Sequence, residues 1–365
     1  MGPRLAKTFF AAAVALAALA PGASAAVSFQ PAQPYAASAP WWSATTDVNG
    51  DGRTDVVTAS NSTNVISALL GNGDGTLQAP RNTPAAPSNL NAIAAGDLNG
   101  DGKGDVAVAV NGAPGTLRVY LSAGDGTFDA GTPYTAGRFP QDVVIAPLDG
   151  NSSPDLAVAN QGAPGGSVSI YLNNGSGLFT EAAGSPVGFT NQEPLGLGAG
   201  DFDGDGKIDL AVGANNGTNP GVFFLKGAGT GAFDPPAPLG GAGAQKAVVG
   251  DFNGDGRLDI AAGRAGVGDV VIIKRNATGF DPPASFDPDG PMGSANGRIA
   301  TADLDGDGVL DLAVPNTVGP QASKVSIGLG HGDATFETTS NEPVGGFPRQ
   351  VAVGDLNGDG NPDLV

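Results

Sequence analysis

DFNGDGRLD, residues 251–259, is the stretch whose reading decides the fold. Oxygen-bearing side chains stand at its positions 1, 3, 5 and 9, with glycine at position 6, a spacing that hard cations select. It has six relatives: DVNGDGRTD (47–55), DLNGDGKGD (97–105), PLDGNSSPD (147–155), DFDGDGKID (201–209), DLDGDGVLD (303–311) and DLNGDGNPD (355–363). Their starts lie 50, 50, 54, 50, 52 and 52 residues apart. A near-constant period of that length marks one supersecondary unit repeated in an array.

Each unit follows one plan. A short apolar run enters the motif, as in NAIAAG before Asp97 or KAVVG before Asp251, and a second leaves it, as in DVAVAV from Asp105 or DLAVGA from Asp209. After an Asn/Gly/Pro turn comes a third, alternating run, such as LRVYLSAG or VSIYLNNG. A Gly-rich turn follows (SAGDGTF, 122–128; NNGSGLF, 173–179), then a poorer run carrying Pro and Phe. Short runs rich in Val, Ile and aromatics, bounded by Gly, Asn and Pro, are strands, and a Pro-bearing strand belongs at an edge. Four antiparallel strands in about 50 residues make a propeller blade. The expectation is an all-β, seven-bladed β-propeller of four-stranded antiparallel blades with cation-binding loops. The last blade is expected to be incomplete, since Asp363-Leu364-Val365 begins only a second strand. An EF-hand or dockerin-like repeat would need a helix on the exit side and a glutamate at position 12, where the 251 copy has Ala262. A calcium-binding β-roll repeats every nine residues, far too short a period.

The chain has 365 residues, a size that all-β propellers fill as one unit. It carries 17 Lys+Arg against 36 Asp+Glu, a net charge of −19, and 22 of those acids sit inside the seven motifs. The acidity is therefore concentrated in loops rather than spread as a solvating coat. No basic patch with interleaved aromatics is present, which speaks against a nucleic-acid partner. Absence of cysteine excludes disulfides and thiolate metal sites.

Residues 1–25 are expected to be a secretory signal peptide: Arg4 and Lys7, a 13-residue apolar run (8–20) and an Ala23-Ser24-Ala25 cleavage site. Thirteen residues are too few to span a bilayer, which takes roughly 20. No second apolar stretch is long enough, so the mature chain (26–365) is expected to be one exported propeller domain without a transmembrane segment, secreted or at the cell surface. The segment 27–37 resembles the end of a repeat: Phe29, Pro34 and Tyr35 are spaced as Phe128, Pro133 and Tyr134 are. A repeat tail at the N-terminus suits a ring whose last blade is completed from the other end of the chain.

The ion loop can be worked through on the 201 copy. Asp201, Asp203 and Asp205 lie on alternate positions of a tightly curled loop, and Gly204 and Gly206 allow backbone angles that side chains forbid. The carbonyl of Lys207 offers a fourth ligand, and Asp209 is expected to close the cage with both oxygens. The corresponding sets are Asp47, Asn49, Asp51, Arg53 and Asp55; Asp97, Asn99, Asp101, Lys103 and Asp105; and Asp251, Asn253, Asp255, Arg257 and Asp259. Asp303, Asp305, Asp307, Val309 and Asp311 form a further set, as do Asp355, Asn357, Asp359, Asn361 and Asp363. In every set the position-7 residue contributes its carbonyl only. Six to eight oxygens suit Ca²⁺, whereas Mg²⁺ demands a stiffer octahedron and zinc or copper a softer donor. Up to six calcium sites are expected. In the third copy Pro147, Ser152 and Ser153 break the pattern, leaving Asp149, Asn151 and Asp155, and that site is expected to be weak or empty.

The repeated D-x-[DN]-G-D-G-x-x-D, the following [LIV]-A-V and the GxGDGTF-like turn, over residues 27–365, resemble FG-GAP or VCBS-type repeats, related to the N-terminal propeller of integrin α chains. The resemblance implies the propeller fold and calcium. For activity it is unspecific, since related propellers serve in adhesion, glycan binding and polysaccharide lyases.

A catalytic constellation does not emerge. His331, the single histidine, sits in a turn (GHGDATF) where other units place Asn, Ala or Gly, and the carboxylate pairs belong to the ion loops. The expected function is therefore a calcium-binding, non-enzymatic adhesion or recognition module for an extracellular protein or glycan. The alternative is a calcium-dependent polysaccharide lyase or hydrolase, which would need Arg or Lys and a base facing the central channel. Recognition is expected on the variable inserts 214–221 and 285–297. Trp41 and Trp42 could stack on a sugar or pack at a blade seam.

Overall fold

The computed structural model describes residues 27–365 except 28, 38, 86–88, 163–164, 216–219, 265–268, 289–297, 317–323 and 345–347. The leader read at 1–25 lies outside these, as do residues 216–219 and 289–297 of the two variable inserts.

Among the described residues, six four-stranded antiparallel blades succeed one another along the chain. The first places Trp42–Thr46, Asp55–Ser60, Val65–Leu69 and Arg81–Pro84 side by side in chain order. The next five begin with inner strands Leu90–Gly96, Pro140–Ala146, Glu193–Gly200, Ala244–Gly250 and Ala300–Ala302. In the third blade the outer strand is split, because Phe179–Glu181 and Val187–Gly188 both pair with Ser167–Asn173. The expectation of seven blades is thereby corrected to six. Among the described residues, the seventh motif forms a two-stranded hairpin, Val353–Gly354 with Asp363–Leu364.

Second strands explain why the exit runs are apolar without alternation. Asp105–Val110 is buried at every position, since both of its faces are covered by neighbouring sheets. Seven apolar clusters result, one at each seam between successive sheets, the hairpin included. Inner strands lie each against the next around a closed circle, and Val353–Gly354 sits between Ala300–Ala302 and Trp42–Thr46. Thr45 Oγ1 donates to the Val353 carbonyl at 2.6 Å and Gln350 Nε2 to the Ser43 carbonyl at 2.7 Å, fastening the last unit to the first.

Candidate metal centres in the blade loops

In all six intact motifs the position-1 aspartate organises the loop. Its Oδ2 accepts the N–H of the position-6 glycine at 2.7–2.9 Å. Position 5 turns sideways and its Oδ1 accepts the position-7 N–H at 2.8–3.0 Å. These bonds require the chain to curl back on itself, which Gly204 (φ +76°) and Gly206 (φ +80°) permit in the 201 copy.

Position 9 has another task. In all seven motifs its Oδ2 accepts the position-2 N–H, at 2.7–3.2 Å. In the six blades its Oδ1 also accepts an N–H where the third strand meets the turn: Gly71, Ser122, Asn173, Gly227, Arg275 and Gly330, at 2.6–2.8 Å. These bonds leave each carboxylate oxygen a second lone pair, so Asp209 stays available to an ion. Each oxygen is already held by a backbone amide, so the residue straps loop, second strand and third strand together. These aspartates are almost wholly buried, and burial pushes the carboxyls of Asp105, Asp259 and Asp311 up to about 6. Burial likewise raises Asp55, Asp155 and Asp209, against the lowering effect of the two amides.

Carboxylate oxygens converge on one point in two copies. Those of Asp201, Asp203 and Asp209, and of Asp303, Asp305 and Asp311, all lie within 4.8 Å of one another. Three anionic oxygens with no nitrogen or sulfur donor fit a hard cation. Copies with Asn at position 3 bring a carboxamide oxygen in the same place, where Asn49, Asn99, Asn253 and Asn357 accept the position-5 N–H. The two trios take in positions 1, 3 and 9 of the five-donor set expected from spacing. In the 201 copy the structure adds a side chain that sequence reasoning missed: Lys226 contacts Asp203 and Asp205, and those bonds raise its pKa. Leu70, Leu121, Leu172 and Leu329 hold the matching place in four other blades and Lys274 in the fifth, and that departure from leucine was the available signal. The 147 copy lacks the position-1 acceptor, yet Asp155 keeps its strap.

A second polar cluster lies where the inner strands meet, on the ring axis. Asp142 is fully buried and pairs with Arg298 Nη1 at 2.5 Å and Lys246 Nζ at 2.9 Å, while the Leu197 N–H donates to its Oδ2 at 2.9 Å. The Arg298 guanidinium also binds the Gln141 carbonyl and lies 4.3 Å from the Trp42 ring centre. Burial acts to raise Asp142, but the two cations outweigh it and hold the carboxyl below its usual range. Burial depresses Lys246, with Asp142 opposing and Arg298 adding to the effect. Trp42 donates Nε1–H to the Leu90 carbonyl at 3.1 Å, which makes it a seam residue. Trp41 is 37% exposed and is covered by Arg349, 4.2 Å above its ring. His331 faces Thr335 and Glu337 on an exposed turn, away from the axis cluster.

Fold and loops together define a β-propeller with acidic, cation-competent blade loops. The FG-GAP-like repeat profile matches residues 47–108, 97–158, 148–212, 201–262 and 251–314, and the FG-GAP repeat profile matches residues 347–365. The chain belongs to the FG-GAP-like repeat family. No curated protein matches it. Among solved structures it resembles BBS1N in complex with ARL6DN, soaked with lead (TM-score 0.58, 12% identity, 90% of this chain and 89% of that chain). It also resembles a functionally unknown protein from Desulfotomaculum acetoxidans DSM 771 (TM-score 0.54, 12% identity, 88% of each chain). The Dos1 propeller is a third (TM-score 0.54, 10% identity, 83% of this chain and 71% of that chain). At these identities the likeness concerns the fold alone. Among the described residues no helix is long and apolar enough to cross a membrane.

Proposed function

We propose that this chain is an exported, calcium-braced propeller that serves as a non-enzymatic recognition module for an extracellular protein or glycan. The observation that carries the reading is the convergence of three carboxylates at the 201 and 303 loops, within a motif repeated in register around the ring. Calcium would be held by the position-1, -3 and -9 oxygens and the position-7 carbonyls, with position 5 approaching as the loop closes on the ion. Bound there, the ion neutralises carboxylates that otherwise repel one another and ties the loop between two strands. Its role is structural, and recognition falls to the variable surface loops. A thermal melt of calcium-loaded protein with and without chelator tests the first half, with a lower midpoint expected after chelation. An unchanged melt would remove calcium from the account. The second half is tested by retention on glycan and protein panels.

The polysaccharide-active alternative draws on Asp142, Lys246 and Arg298, the base and cations on the axis that such an enzyme needs. Both Asp142 oxygens are, however, already bound to those cations and to Leu197 N–H, and the Arg298 guanidinium is committed to its neighbours. Release of product from a glycan panel would favour the enzyme; retention without product favours the recognition module.

A further inference from the structure

Glycine after asparagine has no Cβ, so its amide nitrogen can reach the preceding carboxamide and close a five-membered ring. Seven such Asn-Gly pairs lie among the described residues. Four of them occupy positions 3 and 4 of intact motifs, with a half-buried asparagine and an exposed glycine that water reaches. There the carboxamide is already polarised. Asn49, Asn99, Asn253 and Asn357 each accept the position-5 N–H at Oδ1, at 2.8–3.0 Å. Such a donor stabilises the negative charge that grows on that oxygen under attack.

What differs between the loops is the nucleophile. In five of the six intact motifs the position-4 glycine N–H is tied to Oδ1 of the position-1 aspartate, at 2.7–2.8 Å. The 251 loop is the sixth. Asp251 gives Oδ1 to the Asp255 N–H at 3.1 Å and Oδ2 to the Gly256 N–H at 2.7 Å, and among the described residues no acceptor holds the Gly254 N–H. Outside the motifs, the Gly175 N–H is bound to Asn173 Oδ1, and the Asn111 carboxamide oxygen is buried without a donor. Asn72 spends its Nδ2 on Thr76, and among the described residues no amide reaches its Oδ1. Of the described pairs, Asn253-Gly254 alone joins a polarised carboxamide to an untethered amide.

We propose that Asn253-Gly254 is a self-modification site, at which the chain turns the carboxamide of its own loop into a carboxylate. Gly254 N bonds to Asn253 Cγ, and its proton leaves on the ammonia that the broken Cγ–Nδ2 bond releases. Water then opens the cyclic imide. Attack at Cγ restores the main chain and leaves aspartate, whereas attack at the α-carbonyl carbon leaves isoaspartate. One water is consumed and one ammonia released on either route. Aspartate at 253 reproduces the Asp201, Asp203 and Asp209 arrangement, adding a third carboxylate to the 251 set. Isoaspartate routes the main chain through the side-chain carbon and draws the Asp255 and Gly256 amides off Asp251. The two products therefore drive the cation affinity of the loop in opposite directions. The conversion itself needs no ion; only its effect on affinity rests on the calcium reading above.

The test is incubation of the full chain in chelator at mildly alkaline pH, followed by digestion and mass spectrometry of the four loop peptides. Asn253 is expected to convert about fivefold faster than Asn49, Asn99 and Asn357, the factor that one ordinary hydrogen bond is worth. Chain unfolded in urea is the control and should convert all four at nearly one rate. Asn253→Gln, whose longer side chain would have to close a larger ring, should block conversion at that place. Equal rates in the folded protein overturn the proposal. So does an Asn253 lead that persists in urea, because the neighbouring sequence rather than the loop would then set it. A parallel incubation in calcium keeps the two readings apart. Slower conversion in all four loops supports the ion sites, whereas an unaltered rate removes calcium from them and leaves the Asn253 lead to be decided in chelator.

Discussion

Lys226 places an ammonium against two carboxylates of the 201 loop, where a divalent ion would otherwise neutralise them. Replacing it by leucine, the residue at that place in four other blades, removes the competitor. Lys226→Leu is expected to tighten calcium at that loop by about tenfold, as read by calorimetric titration. An unchanged isotherm would show that the lysine swings clear when the ion arrives. Asp142 is the opposite case, an anion that two cations require. Asp142→Ala strands both near the axis and is expected to cost about 3–5 kcal/mol in denaturant melts. Its folded pKa lies below its unfolded one, so its contribution is complete above about pH 4 and fades as the pH falls through and below that value. The wild type should therefore lose its advantage over Asp142→Asn in acid. The loop side chains were legible in the sequence because they recur in register. The axis cluster was harder to see: Asp142, Lys246 and Arg298 each stand five residues before a motif start, at one register position of three inner strands, but the residue type there changes from unit to unit.

At the scale of the element, the position-9 aspartate separates two roles that spacing alone merges. Asp155 lies in the defective motif yet makes the same two amide bonds as Asp209. Asp155→Asn turns one acceptor into a donor facing an N–H and should cost about 1–3 kcal/mol, equally with calcium or chelator. Asp209→Asn should lose a similar amount in chelator and more in calcium. If Asp155→Asn were harmless in both conditions, the strap would be incidental. Strand number and order were readable because each run carries its own turn residues and apolar pattern. Strap geometry was not, because an aspartate flanking a Gly-rich loop reads as a ligand whether its oxygens face an ion or an amide.

For the molecule as a whole, the ring is uniform in plan and uneven in strength. Middle strands of the six blades are ladder-bonded on both edges, while among the described residues the hairpin strands pair only with each other. Amides of Gly354 and Leu364 are expected to exchange with solvent at least tenfold faster than those of Ala107 and Val158, as read by hydrogen–deuterium exchange. Equal protection would mean that the last unit is as firmly held as the rest. The sequence period announced seven units, but strand completion depends on pairing partners, and the count of finished blades had to come from the structure.

The grip of each turn on the preceding loop also has a direction. Ser122 holds Val48, Asn173 holds Leu98, Gly231 holds Leu148, Arg275 holds Phe202 and Ala334 holds Phe252. In every one of these the acceptor belongs to the part of the chain synthesised first. A growing chain can thus dock each new blade on a finished neighbour, in the order in which it is made. The exception is Gly75, whose N–H must wait for the Leu356 carbonyl some 280 residues later. The first blade therefore gains this bond only after the seventh motif has been made.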